Sequence, residues 1–198
     1  AGGRALAGDA SLPGRGKVCR HLHIPLQSGC DATLERMNRP YTRAFYRDLV
    51  MDIVARNPLV SIGADVLTGF PGESDEEFEE SLHFCQRLGF AGLHIFPYSA
   101  RPGTAAANMP NKVEEKKKRA RSREMLQLAR KSALHFQRQF LGQTLTVLWE
   151  GEKDGLWDGL SDNYIRVFTE SSKPLTGQLL PVRLVREHRA GLCGVVDT

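Results

Sequence analysis

The chain has no C-x-x-C pair and no other tight cysteine spacing of the kind that holds a metal: Cys19, Cys30, Cys85 and Cys193 are scattered through 198 residues. A disulfide framework is not expected in a chain of this size and class, so reduced thiols are the reading. There is no apolar run near the ~20 residues needed to span a bilayer, and no basic-then-apolar leader at the start. No membrane partner is expected, and the expected location is cytoplasmic. The chain opens on Ala rather than Met, which reads as a fragment or a processed product. Residues 1–17, rich in Gly, Ala and Arg without apolar periodicity, are expected to be disordered.

Net charge is small, +4, but unevenly placed. Between Lys112 and Lys131 nine basic residues face three acids, an excess larger than that of the whole chain. A basic stripe that includes Lys116, Lys117 and Arg121 suits a polyanionic partner, although a solvated helix face has the same composition.

What the chain does have is repetition. Three strand-like segments, His21–Leu26, Val60–Leu67 and Ala91–Tyr98, each end in a polar loop containing glycine and then run into a helix. Thr42 suits the cap of a helix with Phe45, Tyr46, Leu49, Val50, Ile53 and Val54 on its apolar face. Ser74-Asp75-Glu76-Glu77 has the form of a capping box before Phe78, Leu82, Cys85 and Leu88, with Gly89 as the stop. Strand starts some 30–40 residues apart match βαβ units, whose right-handed crossovers make the strands parallel. Three such units make an open sheet or an arc of a barrel, and ligands of such folds sit at the carboxyl ends of the strands.

A long amphipathic helix is expected over 113–140, capped by Asn111. Beyond Gly142 the period changes to two. Leu145, Val147 and Trp149 alternate with polar neighbours, a Gly/Asp-rich turn (Asp154-Gly155, Asp158-Gly159) follows, and Tyr164–Phe168, Leu179–Val185 and Leu192–Val196 come after it. Four or five short strands predict a small antiparallel barrel, a type that often binds single-stranded nucleic acid.

The loops supply candidate site residues, each with a plainer structural reading beside it. Gln27 and Ser28 offer donors and acceptors at the first strand exit. Gly69-Phe70-Pro71-Gly72-Glu73 is a tight strand-to-helix turn with free N–H groups behind it. Tyr98 and Arg101 put an aromatic and a guanidinium at the third exit. On the barrel, Asn163, Tyr164, Arg166, Arg183 and Arg186 interleave aromatic and basic character. His21 and His23 share a strand face, and with His94 they raise a metal site. They lie early in the strand, however, and no carboxylate-plus-histidine set accompanies them at the other exits, so no metal ligand is assigned.

Three segments, HLHIPLQSGCDATLERMNRPYT, DVLTGFPGESDEEFEESL and GFAGLHIFPYSARPGT, together with GLSDNYIRVF, resemble the radical-SAM tRNA methylthiotransferases over residues 18–198. The first and third segments are most similar to the branch acting on N6-threonylcarbamoyladenosine; the isopentenyladenosine branch is the alternative. The resemblance implies an α/β fold in which 18–110 form the C-terminal half of a radical-SAM barrel, a three-unit parallel βα half-barrel. Residues 111–140 would form a basic linker helix, and 141–198 a TRAM barrel that grips tRNA. It implies S-adenosylmethionine and two 4Fe-4S clusters in the whole enzyme, an electron donor for cluster reduction, and methylthiolation of C2 of an adenosine beside the anticodon. Gln27 and Ser28 would line the ribose or methionine region of S-adenosylmethionine. Leu67, Gly69 and Phe70 would pack near its adenosyl group, and Phe96, Tyr98 and Arg101 would flank the adenine.

The chain departs from this pattern in one respect: it contains no C-x-x-x-C-x-x-C and no N-terminal cluster domain. The cluster ligands are therefore expected in a missing N-terminal half, no catalytic residue is assigned, and the chain alone is expected to be inactive. The rival from another class is a non-catalytic RNA-binding protein.

Overall fold

The computed structural model describes residues 18–196. The segment 1–17, expected to be disordered, lies outside the described residues.

The first part is a parallel sheet in the order β1 (His21–His23), β2 (Ser61–Thr68), β3 (Gly92–Pro97). β1 is shorter than the expected His21–Leu26. Ile24 still donates to the Gly63 carbonyl, Pro25 has no N–H to give, and beyond it the Leu26 and Gln27 N–H groups both donate to the Asp65 carbonyl, with Gln27 bridging Val66. Helices α1 (Asp31–Arg36) and α2 (Arg43–Arg56) join β1 to β2, and α3 (Asp75–Leu88) joins β2 to β3.

The caps follow local chemistry. Thr42 accepts from the Phe45 N–H, and Ser74 and Glu77 form a complete capping box with Gly89 left-handed at the other end. Asp31 is the first residue of α1, and its carboxylate accepts from the Arg43 N–H. On α2 only Tyr46 and Val50 are buried, while Phe45, Leu49 and Val54 of the expected apolar face are exposed.

Helix α4 (Glu115–Arg138) begins after Glu114 rather than at Asn111, whose φ of 56° is left-handed. It joins two cores. Met125 and Ala129 pack with Ile62, Ala64, Val66, Leu93, Phe84 and Phe90 beneath the sheet. Phe136, with Phe140 just beyond the helix, packs among Val147, Trp149, Val167 and Leu184. The Ser132 hydroxyl donates to the Phe90 carbonyl at 2.6 Å between them.

The second part is a closed barrel in the order β4 (Thr144–Lys153), β5 (Leu156–Ser161), β6 (Arg166–Glu170), β8 (Gly191–Val196), β7 (Leu179–His188). The expected antiparallel barrel is in fact mixed, because β6 and β8 pair in parallel. Closure requires this: β7 and β8 form a hairpin, and it is β8 that meets β6. The Asp158-Gly159 stretch is strand, not turn. Gly159 lies where a Cβ would stand 2.4 Å from the Leu148 carbonyl oxygen, so the glycine lets two strands approach. Among the described residues no helix is long and apolar enough to cross a membrane.

Candidate functional site

Strand alternation assigns the two faces of the sheet. Ala64, Val66 and Thr68 turn toward the helices and are buried. Asp65 and Leu67 turn to the opposite face, in register with His94 and Phe96 of β3. Phe96 is 49% exposed, so at this point the described residues leave the face open.

Three exit loops crown this face. Gln27 has a φ of 67°. Its N–H donates to the Asp65 carbonyl at 2.8 Å, and its own carbonyl accepts from the Leu67 N–H at 2.9 Å. These bonds hold a polar residue at the exit in a left-handed conformation that asparagine-like side chains rather than glutamine usually adopt. Ser28 is buried, and its hydroxyl accepts from the Cys30 N–H. Phe70 is buried edge-on against Tyr98, ring centroids 5.4 Å apart. The Tyr98 hydroxyl is buried without a hydrogen-bond partner among the described residues, while Arg101 is exposed. Ser28 directly follows Gln27, and its hydroxyl is already engaged by the Cys30 N–H.

The second loop is braced from behind. Gly69, at φ 74°, donates its N–H to Glu73 Oε1 at 2.9 Å. Arg121 of α4 donates to the same oxygen at 2.6 Å, to the Glu73 carbonyl at 3.1 Å and to Asp75 Oδ1 at 2.7 Å. Burial pushes the Glu73 carboxyl above the usual carboxylate range, against the pull of the Gly69 N–H and the Arg121 charge. Lys118 is buried too, its stem against Gly69 and its ammonium donating to the Tyr98 carbonyl at 3.1 Å.

This corrects the basic stripe. Arg121, expected to face RNA, is a buried internal cation committed to Glu73 and Asp75. Lys117 pairs with Asp75 at 2.8 Å at the surface. Of the three named residues only Lys116 is exposed with no ion pair among the described residues.

On the barrel the expected RNA residues divide. Asn163 is buried: its side-chain oxygen accepts from the Ser161 hydroxyl at 2.6 Å, so it shapes the turn rather than a surface. Tyr164 is half exposed, but one ring face stacks on His21 at 4.1 Å. Arg166 is paired with Glu150 and Asp158. Arg183 and Arg186 are exposed on β7, without ion pairs among the described residues.

Two groups were missed by sequence reasoning. Arg20 forms a bidentate pair with Asp162, at 2.6 and 2.7 Å, which ties the chain before β1 to the barrel. Asp65 joins His23 and His94, giving these histidines the carboxylate that a search of the strand exits alone does not find. The available signal was a lone acid between buried Ala64 and Val66. Burial, then His23 and His94, hold the nearby His21 imidazole below its ordinary value.

No family model matches the chain. It is 37% identical over 184 residues to the tRNA-2-methylthio-N(6)-dimethylallyladenosine synthase of Pelotomaculum thermopropionicum, covering 91% of this chain and 41% of the relative. The synthase of the same name from Chloroflexus aurantiacus is 38% identical over 178 residues, 88% of this chain and 38% of that protein. The threonylcarbamoyladenosine tRNA methylthiotransferase MtaB of Bacillus subtilis is 34% identical over 175 residues, 86% of this chain and 39% of that protein. The chain spans about two fifths of the length of the curated relatives it matches.

Proposed function

We propose that this homologue of the tRNA methylthiotransferases supplies the C-terminal portion of such an enzyme: a half-barrel wall that faces S-adenosylmethionine and a TRAM barrel that grips tRNA. The observation that carries the reading is the convergence of Gln27, Leu67, Phe96 and Tyr98 at the carboxyl ends of three parallel strands, the position ligands take in such folds.

The exit residues suit a nucleoside-bearing cofactor. Phe96 offers an exposed apolar ring beside Leu67, and the buried Tyr98 hydroxyl lacks a partner that a polar ligand group would supply. Bound S-adenosylmethionine supplies, in the family this sequence resembles, the transferred methyl group and a hydrogen-abstracting radical. Within this chain the work is positional. The Arg121–Glu73–Gly69 brace fixes the second loop, and Gln27 is held by two backbone bonds.

The residues here do not suit an iron–sulfur cluster. Cys30 and Cys85 are buried with thiols pushed up by burial, Cys85 to about 12, and the four cysteines are not grouped. Cluster ligation belongs, on this reading, to the part of the enzyme that this chain does not include, as does any contact with an electron donor. The chain alone binds tRNA without catalysing the reaction.

The substrate we propose is N6-threonylcarbamoyladenosine in tRNA, on the form of His21–Gly29 and His94–Ser99. The names of two of the relatives support dimethylallyladenosine as the second reading. Nucleoside mass spectrometry decides. In cells lacking their own methylthiotransferases, the gene with its upstream coding sequence should restore the 2-methylthio form of threonylcarbamoyladenosine. Restoration of the dimethylallyl product would transfer the assignment to the second reading, and restoration of neither would overturn the enzymatic proposal.

A further inference from the structure

The uncovered face of the sheet carries a group of side chains that the strand-exit site does not use. Asp65 stands opposite His94 in the β2–β3 register, and His23 stands opposite Gly63 in the β1–β2 register. Alternation therefore delivers all three side chains to one place from three adjacent strands. Asp65 Oδ1 lies 3.0 Å from His23 Nε2 and 3.4 Å from His94 Nδ1. The three ligand atoms all lie within 4.8 Å of one another.

That spacing is informative. Tetrahedral bonds of about 2.0–2.1 Å place neighbouring ligand atoms about 3.3 Å apart. The two carboxylate–imidazole distances already bracket that value, and the two imidazole nitrogens lie within 4.8 Å of each other. Room for the rings comes from Gly63, where a Cβ would stand 3.1 Å from His23 Nδ1 and 3.4 Å from His21 Cε1. No lysine or arginine pairs with the Asp65 carboxylate among the described residues, so its charge is met only by the two imidazoles. A cavity of about 310 Å³ lined by His21, His23, Ser61, His94 and Tyr164 opens beside the group and gives access. His21 itself is engaged: its Nδ1 lies 2.7 Å from the Ser61 hydroxyl and its ring stacks on Tyr164.

We propose that His23, Asp65 and His94 form a three-ligand site for a divalent first-row transition metal, with zinc as the reference ion. Two imidazoles and one carboxylate suit such a cation rather than magnesium or calcium, which take oxygen ligands. Three protein ligands leave a coordination position for water or an anionic oxygen, the pattern of an open site rather than of a closed structural one. The site stands on strand pairing and side-chain distances alone, so its failure would leave the methylthiotransferase reading untouched.

The test is zinc binding to the chain carrying Cys19→Ser, which removes the exposed thiol as a competing ligand. Calorimetry and elemental analysis after dialysis should give one equivalent of zinc, and cobalt should give a visible spectrum of tetrahedral or five-coordinate type. Asp65→Asn should weaken zinc by at least about 100-fold, more than the 10–100-fold that outer-shell changes cost. His94→Ala should do the same. It removes a side chain that is 67% exposed, so the fold should survive, as circular dichroism would verify. His83→Ala, an exposed histidine of α3, should leave binding unchanged. Less than one equivalent of zinc, or affinity unaltered in His94→Ala, would overturn the site.

Discussion

Arg121 Nη1 lies 2.6 Å from Glu73 Oε1, and the two side chains are only 4% and 3% exposed. The pair joins the second turn of α4 to the loop that follows β2. Breaking a buried pair by removing one partner strands a charge in low dielectric, which costs about 3–5 kcal/mol. Arg121→Ala should therefore lower the free energy of unfolding by that amount, read from urea denaturation. Replacing both partners, as Arg121→Met with Glu73→Leu, should recover only part of the loss: no uncompensated charge is left behind, but the Gly69 N–H loses its acceptor.

Gly69 tests the same joint from the loop side. Its φ of 74° disfavours any side chain, and an added Cβ would stand 2.2 Å from Lys118 Cγ. The buried lysine stem cannot yield without disturbing its ammonium bond to the Tyr98 carbonyl. Gly69→Ala should destabilise by about 2–3 kcal/mol, from left-handed strain plus overpacking. Thermal melts should show the loss, and Lys118→Ala in the same chain should relieve part of it.

These two positions also show what a linear reading can and cannot reach. The βα repeats, the Thr42 and Ser74 caps and the period-two strands are legible because they rest on neighbours within four residues or on simple alternation. Arg121 is misplaced by such a reading because nothing local distinguishes a buried cation from a solvated one; its partners sit 48 and 46 residues away. Tyr164 reads as an RNA-stacking residue until the fold lays His21 on its ring. Part of β5 reads as a turn because Asp158-Gly159 has turn composition, whereas the glycine serves a close strand crossing. The exit loops are found because parallel βα order predicts where strands end. Asp65 escapes notice because its partners come from strands 42 residues before it and 29 after, brought together only by register.

On the proposed reading, RNA affinity should track cations that remain free. Lys116, Arg183 and Arg186 are exposed and have no ion pair among the described residues. Every phosphate that a variant ceases to neutralise reduces the slope of log K against log salt by about 0.7–0.9. The triple change Lys116→Gln, Arg183→Gln, Arg186→Gln should weaken tRNA binding and reduce that slope by about 2–3. The Arg121→Met, Glu73→Leu chain should keep the wild-type slope, since neither residue reaches solvent. An unaltered slope in the triple variant would place the RNA on another surface.

Glu77 links acid stability to the start of α3. It accepts from the Ser74 N–H at 3.0 Å as part of the capping box, and from Arg36 Nη1 of α1 at 2.9 Å. The Arg36 hydrogen bond, opposed by partial burial, holds its carboxyl below the ordinary glutamate value of 4.5. A carboxyl that is more acidic in the folded chain than in the unfolded one binds fewer protons when folded. Its contribution is therefore complete above the unfolded value and is lost as pH falls through the folded one. Glu77→Gln keeps a side-chain oxygen for the cap but removes the charge. At pH 7 it should cost about 0.5–1 kcal/mol, the range of a partly exposed pair. That difference should shrink below pH 4.5 and vanish once the wild-type carboxyl is protonated. Urea denaturation at pH 7, 5, 4 and 3 would show the two chains converging; a constant offset across that range would mean that the loss comes from the cap and not from the charge.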